Sequence, residues 1–441
     1  MPLSGTSPAT RRSTCRLRTN PPRARPRPPP ITVAECENPS SRGVSRRRLL
    51  GGGAAALGAT GLGWGIHAVA ERVDPTAAID GGLTEPFFGT HQAGIATPVQ
   101  AHAQFVGLDL RPGARAATLI GILKVWTDDA ARLANGAPAL ADTEPELAAA
   151  PARLTVTIGL GSGAFAAADV VGDQPPWLRP LPAFPIDKLD DGWGQTDLLL
   201  QVCADDQMAV AHAVRVLLKN VRSLVTVRWS QHGFRHARRS HPEGTTMRNL
   251  MGQVDGTVNP DPATDFDELV WDDGAGVPWL AGGTSLVLRR IRMELDTWEE
   301  IDRSGRELIV GRTLDTGAPL TGSSENDAPD FAATDRYGIP VIPPSSHIAR
   351  AQPFGDRERF HRRAYNYDDA PGPGQTSNSG LIFAAYQRDV DAQFRPVQQR
   401  LAEFDALNQW TTPIGSAVYA IPPGVTSVED YLGSSLLDGR T

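Results

Sequence analysis

Seven stretches of this chain carry the patterning of pleated strands, and they fall into two runs. His102–Leu110, Leu154–Leu160, Asp197–Val202 and Leu224–Trp229 make the first; Thr284–Met293, Leu381–Tyr386 and Gly415–Ile421 make the second. Side chains alternate across a strand, so apolar residues at every second place, or short β-branched runs, mark segments with a buried face. Between them lie segments with helical spacing. Asp128–Leu133 opens a polar helical stretch, Met208–Leu218 repeats apolar residues one turn apart, and Thr297–Arg303 and Phe394–Leu407 read as helices. Two β-rich halves with a few helices each predict an α+β architecture rather than a doubly wound parallel sheet. A chain of 441 residues exceeds one ordinary core, and the division expected is 71–225 and 226–441 behind an N-terminal extension over 1–70. No short-period repeat supports a solenoid. The segments 134–150, 312–345 and 366–380, rich in Pro, Gly, Asp and Ser, read as loops, where substrate access is often controlled.

The extension cannot belong to either core. Residues 1–44 are dominated by Pro, Arg and Ser around Pro21–Pro30, and nothing there can bury a core. Ser45-Arg46-Arg47-Arg48-Leu49-Leu50 then leads into a glycine-rich apolar run, Gly51–Ile66, and Ala68-Val69-Ala70 fits a small-x-small cleavage site. The arginine pair matches a twin-arginine signal, which implies export by the Tat machinery in the folded state. Seven glycines between Gly51 and Ile66 make that run a poor membrane helix, so cleavage is favoured over anchoring.

Removing that segment changes the charge picture. Residues 1–70 carry about +9 against a formal total of −7, leaving the remainder near −16. An acidic body argues against nucleic acid as a partner and suits cationic or neutral small substrates. Cys15 and Cys36 lie in the extension, so Cys203, within the apolar run Leu198–Cys203, stands alone and no disulfide framework is expected.

Three constellations bear on chemistry. Gly252-Gln253-Val254-Asp255-Gly256-Thr257-Val258-Asn259-Pro260 is a turn on any reading. Asp255 either caps its own backbone or is a carboxylate presented to a cofactor by a loop whose small residues, Gly256 among them, permit close approach. In Ser345-Ser346-His347-Ile348-Ala349-Arg350, His347 is either structural or an iron ligand, the latter needing an acceptor for its other ring nitrogen. His361-Arg362-Arg363-Ala364-Tyr365-Asn366-Tyr367-Asp368, followed by Gly380–Asp389, reads as a basic turn entering a core strand, or as a guanidinium placed to stabilise a developing anion. The nine histidines show no zinc-protease or covalent-haem spacing.

Together with Phe88–Ile95 and Trp410–Gly415, these stretches resemble the dye-decolourising (DyP-type) haem peroxidases, in order from about Glu85 to about Leu437. The likeness is greatest to the Tat-exported bacterial branch that includes deferrochelatases. It implies two ferredoxin-like halves with antiparallel sheets and one haem b per chain, held mainly by the C-terminal half. It further implies that His347 is the proximal iron ligand, Asp255 the distal acid/base, Arg362 the distal arginine and Asn259 a polar neighbour of the distal water. Phe383 would shape the distal wall, Asp389 would hold His347, and Arg350 or another arginine would meet a haem propionate. Preferring Arg362 to Arg363 rests on the resemblance alone. The activity implied is oxidation of dyes, phenols or other reductants by hydrogen peroxide through a ferryl intermediate. Proton shuttling by Asp255 and charge stabilisation by Arg362 are the chemistry that peroxide cleavage needs. Surface aromatics among Tyr365, Tyr367, Tyr386, Trp410 and Tyr419 would carry electrons from large substrates, although most aromatics are simply core. Other readings are a chlorite dismutase, a haem-processing deferrochelatase and a non-catalytic haem carrier. A homo-oligomer and an extracytoplasmic location are further expectations.

Overall fold

The computed structural model describes residues 80–355 and 357–439. The expected export segment, with Arg46, Arg47, Cys15 and Cys36, lies outside the described residues. Among those residues the strands are β1 (His102–Leu110), β2 (Thr155–Leu160), β3 (Leu198–Ala204), β4 (Val225–Phe234), β5 (Thr284–Met293), β6 (His361–Arg362), β7 (Tyr365–Asp368), β8 (Ser379–Gln387) and β9 (Thr411–Ile421). The first half orders its strands β2-β3-β1-β4, and the second β9-β5-β8 with β6 and β7 along the far side of β8. Every pairing is antiparallel. This is the α+β architecture of two ferredoxin-like halves.

The two sheets face each other. Phe105, Leu199, Cys203 and Trp229 from the first pack with Leu286, Leu288, Tyr386 and Tyr419 from the second. Helices cover the outer faces. Ala116–Ala134 buries Leu119, Ile122, Leu123, Trp126, Ala130 and Leu133, a stripe of helical period. Gln207–Val221 starts where Asp206 accepts a hydrogen bond from the Met208 amide at 3.0 Å, and Trp126 Nε1 joins the two helices by donating to the Leu217 carbonyl at 3.0 Å. Cover on both faces explains why β3 is apolar almost throughout instead of alternating, and why β2 is buried along its whole length.

The structure corrects several boundaries. Asp128–Leu133 forms the last turns of a helix that begins at Ala116. Thr297–Arg303 spans the gap between the helices Leu295–Trp298 and Arg303–Val310, and the helix expected over Phe394–Leu407 is Arg395–Phe404 flanked by turns. The loop expected over 366–380 contains most of β7 and the first residues of β8. A division at 225/226 would cut β4 from the sheet it completes, since β4 pairs along its length with β1.

Where the sheets meet edge to edge, strand pairing almost stops. β2 touches β9 through one pair, Leu160 with Ala420, and β4 touches β7 through Phe234 with Asn366. On either side of the first contact a side-chain amide replaces the missing strand. Gln92 accepts from the Ile158 amide at 2.8 Å and donates to the Ile158 carbonyl at 3.1 Å and the Pro422 carbonyl at 2.9 Å. Gln195 treats Val418 the same way, accepting from its amide and donating to its carbonyl, both at 2.8 Å. A primary amide has the donor and acceptor of a peptide unit, so it can close a ladder that two diverging strands cannot. Gln92→Leu would leave these buried groups unpaired, at roughly 1–3 kcal/mol each. Urea unfolding should show a loss of at least about 2 kcal/mol, larger than for Gln195→Leu, because Gln195 is less buried and water can replace it.

Candidate functional site

His347 opens the short helix His347–Ala351, directly after Pro343–Ser346 has turned the chain. Its ring Nδ1 lies 2.6 Å from Asp405 Oδ2. Asp405 sits between the helix Arg395–Phe404 and the following turn, and its other oxygen accepts from the Leu407 amide at 2.9 Å. The Ala406 amide also bonds the Ser345 carbonyl at 2.8 Å, stitching the two segments together. Burial works against a charge on the His347 ring, but the Asp405 carboxylate outweighs it and holds the ring's proton affinity above the ordinary histidine value. Among the described residues Nε2 has no hydrogen-bond partner.

The acceptor expected for His347 was Asp389, and the structure corrects this. Asp389 caps the turn that follows β8, accepting from the Asp391 and Ala392 amides at 2.7 and 3.0 Å, while its own amide donates to Gln393. It is a helix-start residue of the capping-box kind. Asp405 carries the matching signal, an aspartate at the end of one helical run and the start of the next. Nothing local, however, connects it to a histidine 58 positions away.

Asp255 and Arg362 come together from distant parts of the chain. Arg362 Nη1 lies 3.3 Å from Asp255 Oδ1, and both side chains keep about a quarter or less of their surface exposed. The charges of both reach the His347 ring. The loop bearing Asp255 is organised by Asn249, which sequence reading missed. Its Oδ1 accepts from the Met251 and Gln253 amides, and its Nδ2 reaches Asp255 Oδ2 at 3.4 Å. Gly256 adopts a φ of 134°, which a side chain would strain, so the chain can reverse directly after Asp255. Thr246 and Thr257 both donate to Glu325, holding the 312–345 loop against this turn.

Asn259 does not act on the Arg362 guanidinium. It accepts from the Arg362 amide at 3.1 Å and donates to the Arg362 carbonyl at 2.7 Å, repeating the amide clamp found at the sheet edge. Phe383 lies on β8 in an aromatic group with Phe360 and Phe394. Arg350 is turned to the Arg400 carbonyl, 3.3 Å away, and the ring of Phe404. Arg312, also missed, is buried and bonded to the Gly317 and Glu325 carbonyls; burial lowers its pKa, and the charge of nearby Arg362 lowers it further. His361 is enclosed by Phe266 and Tyr386, and burial followed by the neighbouring arginine charges pushes its pKa down to about 3.

Comparison with known proteins decides the family. Residues 92–235 match the Dyp-type peroxidase, N-terminal family and residues 246–426 the Dyp-type peroxidase, C-terminal family. This chain belongs to the DyP-type haem peroxidases. It is 36% identical over 438 residues to a dye-decolorizing peroxidase of Thermobifida fusca, covering 90% of this chain and 98% of that one. A deferrochelatase of Yersinia pestis is 35% identical over 417 residues, covering 89% and 95%. The crystal structure of a DyP-type peroxidase from Cellulomonas bogoriensis superposes with a TM-score of 0.80 at 54% identity, covering 82% of this chain and all of that one.

The side chains present suit the DyP-type cofactor. No group of three His, Cys, Asp or Glu side chains that could hold a bare metal ion exists among the described residues. A single imidazole with a free Nε2 and an anionic partner on Nδ1 suits a metal that arrives with four donors of its own, as haem iron does. Asp405→Asn should therefore weaken haem binding about 10–100-fold or raise the reduction potential. Asp389→Asn should leave both unchanged. Haem titration of the apoprotein and spectroelectrochemistry of each variant check this, and a matching shift in the Asp389 variant would reject Asp405 as the partner that matters.

Proposed function

We propose that this haem-dependent peroxidase binds one haem b per chain through His347 Nε2 and uses Asp255 and Arg362 to cleave hydrogen peroxide. The observation that carries this reading is the pairing of two separate acid–base units. His347 with Asp405 and Asp255 with Arg362 lie close enough for the charges of the second to reach the first ring. Haem supplies the iron at which peroxide is reduced. Asp405 fixes the Nδ1 proton and so leaves the Nε2 lone pair as the ligand, with electron density raised by the neighbouring charge. Asp255 takes the proton from one peroxide oxygen and returns it to the other as the O–O bond breaks. Arg362 stabilises the negative charge gathering on the leaving oxygen. Asn259 and Asn249 position these two groups rather than touching the reactants. Reducing substrates of the dye and phenol type suit the acidic body, and export through the Tat machinery suits the arginine pair Arg46-Arg47.

Asp255→Asn keeps the turn but removes the proton acceptor, and should slow the reaction with peroxide by roughly 10²-fold or more. Arg362→Leu removes a charge contact of the kind worth ~3–4 kcal/mol and should be at least as harmful, since water can relay a proton but cannot stand in for a fixed cation. Stopped-flow mixing of each haem-loaded variant with peroxide, followed by the haem spectrum, checks both; wild-type rates in both variants would reject these roles. Export has its own test. Replacing Arg46 and Arg47 by Lys should leave unprocessed precursor in the cytoplasm, and normal processing of that variant would count against the signal.

The similarity to deferrochelatases favours one second reading, removal of iron from haem. Recovering iron-free porphyrin from the haem-loaded protein under reducing conditions would support it.

A further inference from the structure

The core between the two sheets contains chemistry that the peroxide site does not use. Cys203 on β3 lies opposite Ala103 on β1, and Ala103 lies opposite Gly233 on β4. This row of neighbours, spaced about 4.8 Å apart, runs from a thiol through a methyl group to no side chain at all. Tyr365 fills the space so left. A Cβ on Gly233 would stand 2.7 Å from Tyr365 Cβ and 3.3 Å from its Cγ, so the tyrosine rests on the glycine. Its ring packs against Phe105 at 6.1 Å, with the Arg235 guanidinium 5.2 Å from the ring centre. Its hydroxyl is fully buried and has no well-aligned hydrogen bond. Besides Arg235, the polar groups around it are the Cys203 thiol and the Arg363 guanidinium, whose Nε is also buried without a partner. Burial pushes both the Cys203 thiol and the Tyr365 phenol up, so each holds its proton.

Tyr365 also stands directly behind the candidate site. Arg362 turns to Asp255 and Ala364 to the core that includes Met247, Met251 and Leu407, whereas Arg363 and Tyr365 face the opposite way, between the sheets. One strand therefore separates the place where peroxide is cleaved from a buried phenol and thiol, the two side chains that give up an electron and a proton most readily.

We propose that Cys203 and Tyr365 are the internal end-point of oxidation when no external reductant is present, and that one peroxide converts them into a thioether between Cys203 Sγ and a ring carbon beside the Tyr365 hydroxyl. The S–H bond and one ring C–H bond break and a C–S bond forms. The pair is oxidised by two electrons, and its two hydrogens end with the peroxide oxygens as two molecules of water. The inference rests on the peroxide reaction proposed above, which supplies the oxidant. Cys203 is the free cysteine of the described residues and is fully buried, so disulfide formation and oxygenation by solvent peroxide are both disfavoured there.

The test treats haem-loaded protein with a few equivalents of hydrogen peroxide without reductant, using batches first shown to oxidise a dye. That first step separates a failed cross-link from a failed peroxidase. Peptide mapping should find the Cys203 peptide joined to the Tyr365 peptide with two hydrogens lost. The product should be absent in Cys203→Ser and in Tyr365→Phe, which keeps the ring and its packing, and suppressed by excess dye. A Cys203 that remains fully alkylatable after peroxide treatment and denaturation overturns the proposal. So does a Cys203 that gains oxygen to the same extent in wild type and Tyr365→Phe.

Discussion

A sheet that closes on itself must satisfy its backbone where the strands diverge, and everything else in this molecule hangs on how that is done. Direct pairing across the two edges is reduced to Leu160 with Ala420 and Phe234 with Asn366. The buried peptide groups beside the first contact are met by Gln92 and Gln195, two side chains from connecting segments. Without them, β2 and β9 would present unpaired amides and carbonyls to an apolar interior, an arrangement native proteins almost never tolerate. The same device recurs at the candidate site, where Asn259 holds the backbone of the two-residue strand β6. Connecting segments therefore set the geometry of the sheet as much as the strands do.

The site follows the same economy. Each carboxylate that matters has one oxygen committed to the scaffold or a supporting side chain and one to its partner: Asp405 to the Leu407 amide and His347, Asp255 to Asn249 and Arg362. A group fixed at two points loses little further freedom when a reaction begins, which is why preorganised polar sites outperform flexible ones. The two ion-pair units also differ in what they hold still. Asp405 sets which ring nitrogen of His347 is free, whereas Arg362 keeps a positive charge beside the Asp255 carboxylate.

Most of the strands and the α+β class were legible because period-two patterning and turn residues are local properties, whereas His347, Asp255 and Arg362 stood out through the family resemblance and not through local pattern. β7 was not legible, since Tyr365–Asp368 is short, ends at an exposed aspartate and lies beside Pro- and Gly-rich sequence that dominates a composition-based reading. The beginning of the helix at Ala116 was missed although Leu119, Ile122, Leu123 and Trp126 have helical spacing, because the apolar residues Ile120 and Val125 lie outside the buried stripe and blur it. Asp389 and Asp405 show the limit most clearly. Both begin a helical turn after a structured element, and only the fold reveals which one stands beside the histidine. Asn249 and Arg312 act through backbone groups brought close by loops, for which a single sequence holds no signal.

Arg362 and Arg363 are the same side chain on consecutive residues, yet one meets Asp255 and the other ends wholly buried against Thr97 and Gln100. A slip of one residue in β6 would exchange them with no change in charge, so electrostatics alone does not specify which of the two meets Asp255. What specifies it is a pair of backbone contacts, the Asn259 clamp on Arg362 and the Arg363 amide on the Ala384 carbonyl at 2.8 Å. The Asn259 amide, bonded to backbone and not to the guanidinium, thus acts as a reading-frame marker, deciding which of two chemically identical cations faces the carboxylate.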